Sequence, residues 1–282
     1  MNNSYTVIII SWNVRELLRR CLVSLQPWSK QVQVIVVDNN SQDNSVSMVS
    51  REFSWVELIS LQENKGFAVA NNLAVLKARG DYLVLLNPDT YIAQDFFNRL
   101  DDFWQVYPLA AVVGGQIRNE DGSIQPSVRK FPTVWSQLVV LLKLSRWLPG
   151  LLSDYLCANF DYNKPSVVDQ VMGACFICSK QTWQVTGGFD VNFFVWFEEV
   201  DFCRRLKEVN HLTRYEPTIK VWHSQKASFS QLDFLTRHKM FSRSLLYYSR
   251  KYFNFWSNWL LVVASFLGYL LAYAGKFFYR QK

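Results

Sequence analysis

The chain has 282 residues, half of them hydrophobic, with a formal net charge of +7 and a pI near 9.1. That length buries one large core or two small ones, and the hydrophobic share falls short of a multi-span membrane protein. The cations are scattered, with no recognition-helix pattern and no aromatic-basic sheet signature. This argues against a nucleic-acid module and leaves anionic lipid or nucleotide phosphate to match the excess charge.

Strand and helix patterns alternate through the first half. Thr6 to Ile10 is a continuous β-branched run, as expected of a parallel strand covered on both faces. Asn13 with Glu16 three residues on reads as a capping box opening a helix through Leu25. Val32 to Val37 is a second buried strand, Ser45 to Phe53 a weaker helix and Val56 to Leu61 a third strand. Gly66 to Ala78 is helical, Tyr82 to Leu86 a fourth strand, Gln94 to Tyr107 a helix, and Ala110 to Gly114 starts another strand. Such alternation implies an α/β fold with parallel strands and ligands at their carboxyl ends. Asn119-Glu120-Asp121-Gly122 is a turn, and the chain is irregular from there to about Val168. Within that stretch Leu138 to Leu152 fits a lid, a membrane-touching helix or ordinary core. A strand over Gln170 to Ile177, a short helix from Ser179, the Gly187-Gly188 turn and a helix over Glu198 to Glu208 follow. Strands at Leu212 to Tyr215 and Ile219 to Trp222 lead to His223.

Tyr252 to Gly275 carries no charged residue and is long enough to cross a bilayer. Arg250 and Lys251 precede it and Lys276, Arg280 and Lys282 follow, so a simple single span conflicts with the positive-inside tendency. A bent or in-plane segment, with Trp256 and Trp259 at headgroup level, keeps both ends cytosolic. The amino terminus lacks a basic region followed by an apolar stretch, so no signal peptide is expected. The five cysteines (Cys21, Cys157, Cys175, Cys178, Cys203) are odd in number and scattered, which favours a reducing compartment. Cys175 and Cys178 have CxxC spacing within a strand, where residues three apart point to opposite faces and cannot chelate one metal.

Two acidic signals carry the chemistry. Asn87-Pro88-Asp89 ends an apolar strand, where one hard oxygen ligand suits Mg²⁺ or Mn²⁺ on a diphosphate. Glu198-Glu199-Val200-Asp201 opens a helix, where a carboxylate within reach of an acceptor hydroxyl can serve as general base, Glu199 being preferred. Asp201 and Arg205 form an i,i+4 pair that needs no function. Asp38, at a strand end, can accept a hydrogen bond from a pyrimidine ring N–H, or merely turn the chain with Asn39, Asn40 and Ser41. Lys65-Gly66 opens a helix that includes Asn72, where a glycine and a helix N-terminus suit an anion. His223 can complete a metal or phosphate site, although a histidine beside Trp222 also reads as structural.

Taken in order, these stretches resemble family 2 inverting glycosyltransferases of the GT-A fold, in particular the bacterial rhamnosyltransferase-like branch. The matching segments are Ser11-Trp12-Asn13 through Leu25, Val36 to Ser41, Asn64-Lys65-Gly66-Phe67 with Asn71-Asn72, and Leu86 to Asp89. Gly173-Ala174, Gly187 to Asp190 and Phe197 to Cys203 complete the set. The resemblance implies a mixed sheet flanked by helices over residues 1–225, with a nucleotide-sugar-binding half (1–118) and an acceptor and catalytic half (119–225). Residues 226–282 form a helical, membrane-associating region. Ser11, Asn13, Asp38, Asn40, Lys65, Gly66, Asn72 and Asn87 are then donor contacts. Asp89 and His223 hold Mg²⁺ or Mn²⁺, and Glu199, with Glu198 beside it, is catalytic. Asn87 departs from the family's Asp-x-Asp, and Glu199 stands where many relatives have Asp. The implied reaction is a single displacement from a dTDP- or UDP-linked sugar, rhamnose foremost, onto a saccharide acceptor. The acceptor is expected to be lipid-linked, at the cytoplasmic face of a bacterial inner membrane. A sugar nucleotidyltransferase shares the alternation but wants a Gly-rich loop after the first strand, which Ser11-Trp12-Asn13-Val14 lacks. A non-catalytic, membrane-docked nucleotide-sugar-binding protein shares the fold as well.

Overall fold

Runs of β-branched residues without polar alternation form strands covered on both faces, and the first strands of this chain do so. A computed structural model describes residues 3–224 and 231–279. The first elements are β1 (Tyr5–Ser11), α1 (Arg15–Leu25), β2 (Gln33–Asp38), α2 (Ser45–Glu52), β3 (Glu57–Ser60), α3 (Phe67–Val75) and β4 (Tyr82–Leu86). The middle of the chain holds β5 (Thr90–Ile92), α4 (Phe96–Val106), β6 (Val112–Arg118), β7 (Val128–Arg129) and α5 (Val134–Leu141). Then come β8 (Ser166–Val168), β9 (Gln170–Val171), β10 (Cys175–Ser179), α6 (Lys180–Thr186), α7 (Glu198–Glu208) and β11 (Thr213–His223), and last α8 (Phe234–Tyr252) and α9 (Phe255–Tyr279). The start of the expected C-terminal region at 226–230, and the flanking Arg280 and Lys282, lie outside the described residues.

The main sheet runs β3-β2-β1-β4-β10-β6-β11-β5, with β8 added on β11. β3, β2, β1 and β4 are parallel, in a register that sets Ser11 beside Asp38. β10 enters antiparallel between β4 and β6, which makes the sheet mixed. Alternate residues serve two cores: Val7 and Ile9 belong to one face, Ile8 and Ile10 to the other. Cys175 and Cys178 divide in the same way, each buried in a different core. A third cluster, including Leu138, Phe197, Leu245 and Leu261, joins α5, α7, α8 and α9.

Three local expectations are corrected. No capping box forms at Asn13 and Glu16: Asn13 has φ 53°, its Oδ1 accepts from the Gln42 N–H (2.7 Å), and its own N–H donates to Ser41 Oγ (2.9 Å). The residue staples the loops after β1 and β2, and α1 begins two residues later with Glu16 paired to Arg15 and Arg19. The two strands expected around residues 212–222 are the single β11, whose pairing shifts between Glu216 and Lys220 around Pro217, a residue that cannot donate to a ladder. The strand expected over 170–177 is two, because Met172 to Ala174 bends out of it. β9 pairs with β7, and β10 joins the main sheet. α8 falls within the region expected to be helical, without having been separated from the apolar segment behind it.

Candidate active site

The carboxyl ends of β1, β2 and β4 face α7 across a cavity of about 870 Å³. Trp12, Asn39, Gly66, Asn87, Asp89, Gln125, Arg129, Gly173, Glu198, Glu199 and His223 are among the residues that line it. Asp89 and Glu199, far apart in the chain, therefore confront each other over one space.

His223 ends β11 and lies next to Asp89, with Nε2 3.2 Å from Asp89 Oδ1. Its Nδ1 is 3.0 Å from Gln125 Oε1. A carbonyl oxygen can only accept, so Nδ1 carries a proton and Nε2 is the ring nitrogen turned to the carboxylate. Two acceptors at that separation need a positive charge shared between them, a proton or a cation. A hard carboxylate oxygen and an imidazole nitrogen held from behind by an amide suit Mn²⁺ or Mg²⁺. Among the described residues no group of three His, Cys, Asp or Glu could hold an ion. Asp89 and His223 would thus supply two ligands, with diphosphate and water completing the shell.

The first turn of α7 carries the second group. Glu198 is buried and Glu199 partly so, and each has one carboxylate oxygen, Oε2, buried without a hydrogen-bond partner. Burial, and then the charge of Glu199, push Glu198 well above the usual carboxylate range. Burial raises Glu199 too, opposed by backbone N–H groups and by the positive charge of Arg129. Both members are thus pushed towards the protonated form, and Arg129 lies on the side of Glu199. Gly173 adjoins the pair: a methyl in its place would lie in ordinary van der Waals contact, 3.7 Å from Glu199 Oε1.

The loop before α7 is held in an unusual conformation. Trp196 and Phe197 take left-handed φ values of 66° and 72°, strained for bulky residues and found where the surroundings over-determine the backbone. The surroundings do so: Phe67 N–H donates to the Phe194 carbonyl (2.7 Å) and Ser244 Oγ–H to the Val195 carbonyl (2.7 Å). Gly66, at φ 81°, permits the first contact, since a Cβ there would lie 2.4 Å from the Phe194 oxygen.

The expected donor contacts divide. Gly66 and Asn87 line the cavity. Ser11 and Asp38 are buried side by side at the ends of β1 and β2, and both Ser11 Oγ and Asp38 Oδ1 lack partners; the other Asp38 oxygen accepts from the Ser41 N–H (2.9 Å). Asn40 has φ 65° and accepts from Gln42, whereas Lys65 donates its backbone N–H to Asn39 Oδ1 (2.9 Å) and keeps its ammonium 3.7 Å from Glu63. Of the expected donor contacts Gly66 and Asn87 alone line the cavity; Ser11, Asn13, Asp38, Asn40, Lys65 and Asn72 stand outside its lining. Asn13 staples loops, and Asn72 grips the Phe189 backbone at both ends, Nδ2 to O (2.8 Å) and Oδ1 from N–H (3.1 Å). Sequence reasoning missed Gln125, Arg129 and Tyr162, all cavity-lining and all from the irregular stretch after β6.

The sequence profile of glycosyl transferase family 2 matches residues 6–179. The chain is 25% identical over 245 residues to the N-acetylglucosaminyl-diphospho-decaprenol L-rhamnosyltransferase of Mycobacterium tuberculosis, covering 81% of this chain and 78% of the relative. It is 25% identical over 225 residues to the rhamnosyltransferase WbbL of Escherichia coli K12, covering 77% and 82%. Among solved structures, the mannosyltransferase PcManGT of Pyrobaculum calidifontis, in complex with GDP-Man and Mn²⁺, superposes with a TM-score of 0.58 at 16% identity. That match covers 97% of this chain and 74% of the other. Two longer solved chains share the fold at TM-scores of 0.56 and 0.59, the chain spanning 43% and 47% of them.

Proposed function

The chain belongs to glycosyl transferase family 2, and on that premise we propose that it moves a sugar, rhamnose foremost, from a dTDP- or UDP-linked donor to a hydroxyl of a lipid-linked saccharide. The observation that carries this reading is the shared cavity, lined both by a cation-suited pair, Asp89 and His223, and by a glutamate pair with unpartnered buried oxygens. The two relatives named as rhamnosyltransferases favour the sugar, and the decaprenol in the name of one favours the acceptor class.

In this reading residues 1–118 hold the donor. The unpartnered oxygens of Ser11 and Asp38 stand where the nucleotide's base end enters, and Gly66 lets the diphosphate approach the start of α3. Asp89 and His223 hold a divalent cation, which when bound supplies countercharge to the departing diphosphate. Residues 119–225 present Glu199, which takes the proton of the acceptor hydroxyl as that oxygen attacks the anomeric carbon opposite the leaving group, inverting its configuration. Glu198 keeps its own proton and so leaves a single negative charge beside the nucleophile. Positioning and electrostatics supply most of the rate. The C-terminal helices seat the enzyme on the cytoplasmic face of the inner membrane.

Full-length protein incubated with a panel of nucleotide sugars, Mn²⁺ or Mg²⁺ and membrane-embedded acceptor is expected to release nucleoside diphosphate with one donor, and Glu199→Gln to abolish the release. Thermal stabilisation by no sugar nucleotide, together with diphosphate release from a nucleoside triphosphate, would point to the nucleotidyltransferase instead.

A further inference from the structure

α9 is apolar on every side, but only one side is covered. Leu261, Ala264 and Ala272 are buried at helical spacing where α9 packs on α8 and α5. Trp256 (76% exposed), Trp259, Phe266 and Leu271 face outward. Phe255–Tyr273 is long and apolar enough to cross a membrane, with 28% of it buried in the protein. A second uncovered apolar surface follows α5, which itself packs on α9. Beyond α5 the chain makes two short turns of 3-10 helix at Leu144–Arg146 and Pro149–Leu152, leaving Trp147 84% exposed and Leu148 and Leu151 more than half exposed. α5 reaches α9 directly, since a side chain at Gly268 would lie 2.5 Å from the Leu141 carbonyl. Lys143 sits 4.0 Å above the ring of Phe234, at the start of α8.

α8 decides how α9 can meet a bilayer. The two run antiparallel: Ser249 hydrogen-bonds Asn258, His238 Nε2–H donates to the Ser265 carbonyl (3.0 Å), and the Lys239 ammonium lies 5.3 Å from the Tyr269 ring. A transmembrane α9 would therefore carry His238 and Lys239 into the hydrocarbon beside its own middle, which is costly. Lying flat, α9 sinks its outward face while α8 stays on the polar side. Charge agrees with that placement. Eight Lys and Arg and no Asp or Glu fall between Phe234 and Lys282, so the rest of the chain is close to neutral and the excess charge is concentrated here. An apolar face flanked by cations fits an anionic lipid surface.

We propose that α9 lies in the plane of one leaflet of an anionic bilayer, and that the Trp147 to Leu151 segment inserts beside it as a second anchor. This rests on the membrane reading of the C-terminal region given above. Its consequence is a fixed orientation of the cleft. α8 contributes Met240 to the cavity wall and packs α9 on another side, so about one helix diameter, ~10 Å, separates the cavity from lipid.

Two measurements on the full-length protein test this. With vesicles of phosphatidylcholine and phosphatidylglycerol, hydrogen exchange of residues 144–152 should slow on binding. The triple variant Trp147→Ser, Leu148→Ser, Leu151→Ser should partition at least tenfold less while turning over a water-soluble acceptor at the parental rate. Unchanged exchange and unchanged partitioning of the variant would remove the second anchor and leave the role of α9 intact. Failure of the parent chain to bind vesicles at all would remove the membrane reading itself. Separately, cysteines placed by Asn254→Cys and Lys282→Cys in sealed vesicles should both react with an impermeant maleimide from the same side, over the background of Cys157. Reaction from opposite sides would show a span and overturn the in-plane placement.

Discussion

Glu198 and Asp201 lie one turn apart on α7, are buried to nearly the same degree, and are treated in opposite ways. Asp201 is saturated: Oδ2 accepts from Arg205 Nε (2.8 Å), and Oδ1 accepts from the Tyr252 hydroxyl (2.7 Å) and from the Lys251 ammonium (2.5 Å). Glu198 and its neighbour Glu199 each keep a buried oxygen with no partner. Arg205 also donates to the Gly188 carbonyl (2.8 Å), and Lys251 to Asp190 (2.8 Å). The second turn thus ties α7 to the Gly187-Gly188 loop and to α8. A helix bolted down by one carboxylate can hold another in a state that would be intolerable on a mobile element. Where burial and pairing go together the residue is structural; where burial comes without pairing the residue is available for chemistry.

The contrast can be broken from either side. Glu199→Gln should cut turnover by about 10²–10⁴-fold while leaving the melting temperature close to that of the parent; full activity in that variant would move the base elsewhere. Asp201→Ala should do the reverse, lowering unfolding free energy by roughly 3–5 kcal/mol in urea titrations because Lys251 and Arg205 lose their buried countercharge. Gln125→Ala frees the Nδ1 side of His223 and should weaken Mn²⁺ binding, measured calorimetrically with donor present, by about 10–100-fold. Burial and the charge of Glu199 favour the protonated form of Glu198, which Glu198→Gln imitates, so its loss should stay below about tenfold, far under that of a general base. An effect equal to Glu199→Gln would reverse the roles within the pair.

Two pH profiles sharpen the same comparison. Burial raises Glu199 from an ordinary value of 4.5, so kcat/KM should climb with pH along an acid limb that lies above 4.5. Stability should show the opposite sign of shift at Asp190. Burial pushes this carboxyl up, but hydrogen bonds from Lys251, Asn192 and Tyr247 outweigh burial and hold it at about 2, below its ordinary 3.8. Its contribution is complete above 3.8 and disappears as pH falls towards 2, a decline that Asp190→Asn should flatten in acid-denaturation curves.

The parallel strands and α7 were legible because buried runs and helical spacing are local signals. Asp89, Glu198, Glu199 and His223 stood out because each occupies a strand end or a helix start. Gln125 and Arg129 could not be found this way: they lie in a stretch without periodicity, and only tertiary pairing of β7 with β9 turns it towards the cavity. The break at Met172 to Ala174 was hidden for a related reason, since two strands in different sheets read as one apolar run. Asn13 and Asn72 show a further limit of reading letters. An amide in a motif has the same letter whether it faces a ligand or grips a backbone, and here both grip backbones. The C-terminal composition revealed an apolar segment without revealing that α8 would share its packing.

The place of β10 in the sheet bears on how the protein is made. β4 and β6 are separated in space by a strand that leaves the ribosome only after both of them, so each holds an unpaired edge throughout the intervening synthesis. A polypeptide ending before Cys175 leaves one edge of β4 and both edges of β6 open permanently and should aggregate rather than fold. Cutting the gene near residue 118 would accordingly yield two insoluble fragments.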